Sequence, residues 1–251
     1  MLFLRSMRKF AYYPIIVTAF LLFATRIWEP SHLLVPPVMM GFADYIECFV
    51  PLIVVIPISF LLNDDYEIEL GLVCGVKTSR LMFSKFLPVL IYTLIPTYLM
   101  ILLYQYTPFT DFTRYKTPIP IFVPDIFKPY LYLSVTVTIL FFTSLFLFIR
   151  TVFRNCYVPV AAGICCYMIF SSLNTGLKEG ITDVRMSFFN PFISSSIVDN
   201  TIPNAYAANG IEHIADMWTY NRLLFFALAV ILFILTYILL QREKLHENFG
   251  E

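Results

Sequence analysis

The densest group of chemically capable side chains lies in residues 63–86, NDDYEIELGLVCGVKTSRLMFSKF. Asp64, Asp65, Glu67 and Glu69 come first, Gly71 and Gly75 follow, and Lys77, Arg80 and Lys85 close the segment. Glycines ahead of a Lys-Thr pair are what a phosphate-binding loop uses, because bare backbone and a lysine can cradle the anion. Here the stretch GLVCGVKT has the wrong glycine spacing and no soluble strand before it, so it cannot hold a nucleotide that way. No HExxH, no GxSxG and no clear pair of intramembrane aspartates occurs, so a hydrolase would lack its metal site or its nucleophile. The five cysteines (Cys48, Cys74, Cys156, Cys165, Cys166) lie in or beside apolar runs without metal-ligand spacing and read as packing residues. His213 reads as a surface histidine. Neither catalytic nor metal-ligating residues are expected, and the chain is not expected to be an enzyme. Two further acids, Asp44 and Glu47, sit near the outer end of an apolar run; they are either interfacial or line the mouth of a substrate path.

Composition explains why such residues stand out. Of 251 residues 59% are hydrophobic, 18% aromatic and only 14% charged, against about 25% charged in soluble domains. Formal net charge is zero, which gives no field for nucleic acid. Mean hydropathy is +0.77. The class is an all-α polytopic membrane protein, built as a single transmembrane domain over residues 1–251.

Apolar runs of the ~20 residues that cross a ~30 Å hydrocarbon layer predict six transmembrane helices, at 11–28, 42–62, 87–106, 130–149, 156–173 and 220–240. Residues 1–10 mix Arg5, Arg8 and Lys9 with Leu2, Phe3 and Met7 and predict an N-terminal interfacial helix. Run 11–28 is read as a retained anchor, not a signal peptide, since no small-residue cleavage site follows it. Pro51 and Pro57 predict a bent second helix whose freed carbonyls need other partners. Ala161, Ala162 and Gly163 predict a close helix–helix approach. Residues 63–86 form a charged hairpin, and 174–218 an external loop with short helices, its Phe188–Phe192 stretch at the interface. The spans hold almost no ionisable residue at mid-depth. Lysine and arginine in the short loops favour both termini in the cytoplasm, which puts the 63–86 hairpin there too and counts Arg222 among the outer charges.

The hairpin, the basic amphipathic start and the ending resemble the permease subunits of ABC-2-type ATP-binding cassette exporters. The resemblance rests on Glu69-Leu70-Gly71-Leu72-Val73-Cys74-Gly75-Val76, on Lys77-Thr78-Ser79-Arg80, on Ser84-Lys85-Phe86-Leu87, and on Tyr220-Asn221-Arg222-Leu223-Leu224 with Arg242-Glu243-Lys244-Leu245. Gly71 replaces a bulkier apolar residue of the family, and Arg80 falls two positions late.

The resemblance implies a cell-membrane protein of the bacterial cytoplasmic membrane type. It implies a second permease chain, identical or homologous, and separate cytoplasmic ATPase subunits that carry ATP and magnesium; this chain itself needs no cofactor. It also implies a cytoplasmic coupling helix between helices 2 and 3, with Glu67, Glu69, Leu72, Gly75, Arg80 and Lys85 as the ATPase-coupling residues. Cargo would be a peptide, drug or other amphipathic molecule. The alternative is a standalone membrane carrier or scaffold with no ATPase.

Overall fold

The computed structural model describes residues 12–19, 38–61, 77–106, 128–178, 188–192 and 214–249. Among them the chain is all helical: α1 (residues 13–19), α2 (Val38–Leu61), α3 (Thr78–Tyr106), α4 (Lys128–Phe153), α5 (Tyr157–Lys178) and α6 (Ile214–Phe249). Among the described residues three stretches, against six spans expected, are long and apolar enough to cross a membrane: Thr78–Leu99, Tyr132–Phe153 and Trp218–Arg242. Glu47–Ser59 and Tyr157–Leu173 are apolar but shorter.

Helix α4 is central and packs on α2, α3, α5 and α6. Its buried face carries Val135, Ile139, Phe142 and Phe146 at helical spacing. Phe142 and Phe146 stack, and Phe170 of α5 meets Phe142 edge-on. Arg222 and Phe225 of α6 lie beside Ser134 and Phe141 of α4, so these two helices run parallel. Helices α2 and α5 run antiparallel, since Phe49 stacks on Tyr167 while Val55 meets Gly163. Helix α3 meets Phe233, far along α6, with Phe86, and meets Tyr132, early in α4, with Tyr98; it therefore opposes both. The bundle thus has two ends. One gathers the starts of α2, α4 and α6. The other gathers the end of α2, the start of α3 and the turn joining α4 to α5.

That turn is built from Arg154, whose φ of 50° is left-handed, and from Asn155, whose Oδ1 accepts the amide of Tyr157 at 2.8 Å and caps α5. Of the three small residues expected at a helix contact, Gly163 is buried against α2 and Ala162 packs on the core. A Cβ on Gly163 would lie 3.1–3.4 Å from Val55, whereas Ala161 faces outward.

Two boundaries differ from expectation. Helix α3 starts at Thr78 and not at 87, so residues 78–86 are helix and not the return of a hairpin. The reason is periodicity: Leu81, Met82, Phe86, Val89 and Leu90 form one buried stripe that begins upstream of the most apolar run. Helix α4 likewise continues past the expected end at 149, through Arg150 to Phe153. The first span, expected over 11–28, is described only at 12–19. The expected interfacial helix at 1–10 and residues 62–76 lie outside the described residues.

Pro57 removes the amide that would bond the carbonyl of Ile53. The hydroxyl of Tyr13, buried, donates to that carbonyl and ties α1 to α2. This supplies the partner that an apolar surrounding would otherwise withhold. Tyr13→Phe should lower stability by about 1–3 kcal/mol, the effect of orphaning a buried acceptor. In a Pro57→Ala background the same change should have much less effect, because the helix amide is restored. Thermal unfolding of the four proteins in detergent checks this.

Candidate functional site

Glu47 of α2 and Arg222 of α6 each lie about two turns into their helices. Both are buried, at 0% and 4% exposure, with Oε1 and Nη1 3.6 Å apart. The attraction is only part of what holds them. Arg222 donates from Nε to Asn221 Oδ1 at 2.9 Å. Its Nη1 donates to the carbonyl of Ser134 at 3.1 Å and to Thr138 Oγ1 at 2.8 Å. Its Nη2 donates to the carbonyl of Pro191 at 2.7 Å and to Asn221 Oδ1. A guanidinium has five N–H donors, and these bonds occupy all of them.

Glu47 Oε1 in turn accepts the hydroxyls of Ser134 at 3.0 Å and Thr138 at 3.2 Å. Thr138 therefore stands between the two charges, accepting from the cation and facing the anion. Its single hydroxyl proton has three acceptors in reach: Glu47, the Ser134 carbonyl at 3.2 Å and the Pro191 carbonyl at 3.1 Å.

The third component is the short segment 188–192. Asn221 Nδ2 donates to the carbonyls of Phe188 at 2.7 Å and Asn190 at 3.0 Å. Asn190 folds its own turn, its Oδ1 accepting the amide of Phe192 at 3.0 Å. Phe192 is 1% exposed and packs against Phe142 and Phe170. Phe189 stays exposed. So the stretch expected at the interface instead enters the bundle with Asn190 and Phe192, and α4, α5 and α6 hold it.

Of the expected site residues, the structure describes the side chains of Glu47, Arg80 and Lys85. Glu47 belongs to the end where α2, α4 and α6 start. Arg80 and Lys85 belong to the opposite end; Arg80 is exposed, and Lys85, expected among the coupling residues, is 5% exposed within the buried face of α3. Asp44 is in α2, and its side chain is not described. Glu67, Glu69, Leu72 and Gly75 lie outside the described residues. Four ionisable side chains in or beside the expected spans, Glu47, Lys85, Arg150 and Arg222, are buried.

Sequence reasoning missed Ser134, Thr138, Asn190, Asn221 and Arg222. A signal was present: an Asn-Arg pair two turns into an apolar helix, and an opposite charge at matching depth in α2. Lipid makes such residues costly unless they face one another.

The network has no activated nucleophile, and no group of three metal-ligating residues occurs among the described residues. Its chemistry is neutralising a buried charge and fixing chain segments. No protein-family model matches the chain, and neither a curated protein nor a solved structure matches it.

Removing one partner of a buried ion pair costs about 3–5 kcal/mol, because the other charge is left uncompensated. Arg222→Leu and Glu47→Leu should each lower stability by about that much. The double variant should lose clearly less than the two single losses combined. Denaturation of all four proteins in one detergent checks the coupling.

Proposed function

We propose that this chain is the permease subunit of an ABC-2-type ATP-binding cassette exporter. Paired with a second permease, it forms the translocation path, and a separate cytoplasmic ATPase drives it through the segment between α2 and α3. The observation that supports this most is the two-faced start of α3. Lys77, Ser79 and Arg80 face outward, while Leu81, Met82 and Lys85 are buried in the bundle. A protein gripping the outward side would move the inward side with it. Because α3 is one helix from Thr78 to Tyr106, through Pro88 and Pro96, that movement reaches the opposite end of the bundle.

The resemblance of residues 69–87 to the family's coupling segment supports the same reading. So does the lack of any nucleotide-binding motif, since uphill export then needs a partner. The setting is the bacterial cytoplasmic membrane, with both termini inside. An aromatic path with little charge suits amphipathic peptides, lipid-linked molecules or drugs.

A second reading rests on a different observation. A buried Glu47–Arg222 pair inside apolar helices is the kind of group that carries ions in gradient-driven carriers. The two readings differ in whether an ATPase is attached.

Reversing charge at the grip separates them. Glu69→Arg and Arg80→Glu should each weaken co-purification of the ATPase by roughly tenfold, the equivalent of ~1.4 kcal/mol, and lower ATP-driven export in parallel. Full binding and export in both variants would refute the coupling role.

A further inference from the structure

We propose that the turn joining α4 to α5 is a docking surface for an anionic phospholipid. Arg154 takes the headgroup phosphate, and Phe153 and Tyr157 lie against the upper acyl chains. Nothing in this requires an attached ATPase.

The distribution of charge comes first. Among the described side chains there is one carboxylate, Glu47, at the end of the bundle where α2, α4 and α6 start. Lys77, Arg80, Lys85, Arg150, Arg154 and Arg242 all belong to the opposite end. Lys85 and Arg150 are buried there, whereas Lys77, Arg80, Arg154 and Arg242 are exposed. An end with this balance is drawn to an anionic leaflet.

Depth singles out the turn. The apolar stretch of α4, Tyr132–Phe153, has 22 residues. At 1.5 Å per residue it is about 33 Å long, against ~30 Å of hydrocarbon. Phe153 therefore falls at the edge of the hydrocarbon and Arg154 just beyond it, at the level of headgroup phosphates. The apolar stretch of α5 already begins at Tyr157, so the turn is too short to leave that layer.

The surface of the turn fits the same partner. Phe153 is 60% exposed and Tyr157 77%, one on either side of Arg154. Rings beside a cation suit the boundary between acyl chains and headgroups. A water-soluble acidic partner would satisfy the cation and leave the rings in water; a lipid covers both. The backbone also sets Arg154 apart. Its amide closes α4 on the Arg150 carbonyl at 2.9 Å with a φ of 50°. Glycine is the usual residue at such a helix end, so an arginine costs the fold something that a glycine would not.

The test reconstitutes the full chain in vesicles of phosphatidylcholine with phosphatidylglycerol, extracts it in mild detergent and measures the retained lipids by mass spectrometry. Phosphatidylglycerol should be retained in preference. Arg154→Gly should lower that preference roughly fivefold, the scale of one cation at an anionic surface. Its thermal midpoint in detergent should be unchanged or higher, because glycine relieves the left-handed backbone. Arg154→Lys should keep most of the preference. Glycerol phosphate, which carries the charge without the chains, should not displace the lipid.

Equal retention of the two lipids by the native chain would overturn the proposal. So would native-like retention in Arg154→Gly, which would assign Arg154 to a partner within the chain. Displacement by glycerol phosphate would make the site one for a soluble anion and overturn it as well. Should Arg154→Gly fail to fold, Arg154→Gln carries the same prediction for lipid retention.

Discussion

A guanidinium buried in an apolar bundle must find an acceptor for each of its donors and a charge to balance it. Arg222 does this by drawing on four separate parts of the chain. Asn221 beside it, the α4 hydroxyl and carbonyl of Thr138 and Ser134, the Pro191 carbonyl and the Glu47 carboxylate all converge on one cation. Taken with the aromatic packing along α4, this fixes how α2, α4 and α6 are set against one another at one end. It also explains why an irregular, proline-containing segment is found among helices. Its carbonyls are satisfied there.

The other end is organised by different physics. There α3 starts about two and a half turns before the expected position 87, with Lys77 and Arg80 outward and an apolar stripe inward. The end of α2 is steadied near Pro57 by Tyr13, which supplies the hydrogen bond that the proline removes. The two ends are joined by continuous helices, and the first turns of α3 are accessible on one side and seated in the core on the other. That arrangement makes the exporter reading mechanical: a load applied at one end can be felt at the network on the other.

Much of the scaffold was legible in the sequence. Helical class and the presence of membrane-length apolar helices followed from composition, because lipid leaves few options for a greasy chain; among the described residues three helices, against six spans expected, are long and apolar enough to cross. Gly163 against Val55 and the need for a partner at the proline-freed carbonyl were also readable as kinds of contact, though not which residue would supply them. Two boundaries were not. Hydropathy marks where a helix suits lipid, whereas α3 and α4 extend into stretches that keep helical periodicity with Lys85 and Arg150 buried. The network was the least legible part. Glu47, Thr138, Pro191 and Arg222 are far apart in sequence, and each alone has a plainer explanation as an interfacial charge, a hydroxyl returning to its own helix, or a loop proline. Only their convergence gives them a common role.

The central claim is that this chain is moved by an ATPase it does not contain. Purifying the intact chain from its own membrane in mild detergent, then identifying its stoichiometric partners and assaying ATP hydrolysis, tests that claim most directly. The exporter reading predicts a P-loop ATPase in constant ratio to the chain, with hydrolysis that disappears when the partner is stripped away. A chain that purifies without any ATPase, and that moves cargo across vesicles on an ion gradient alone, would contradict it.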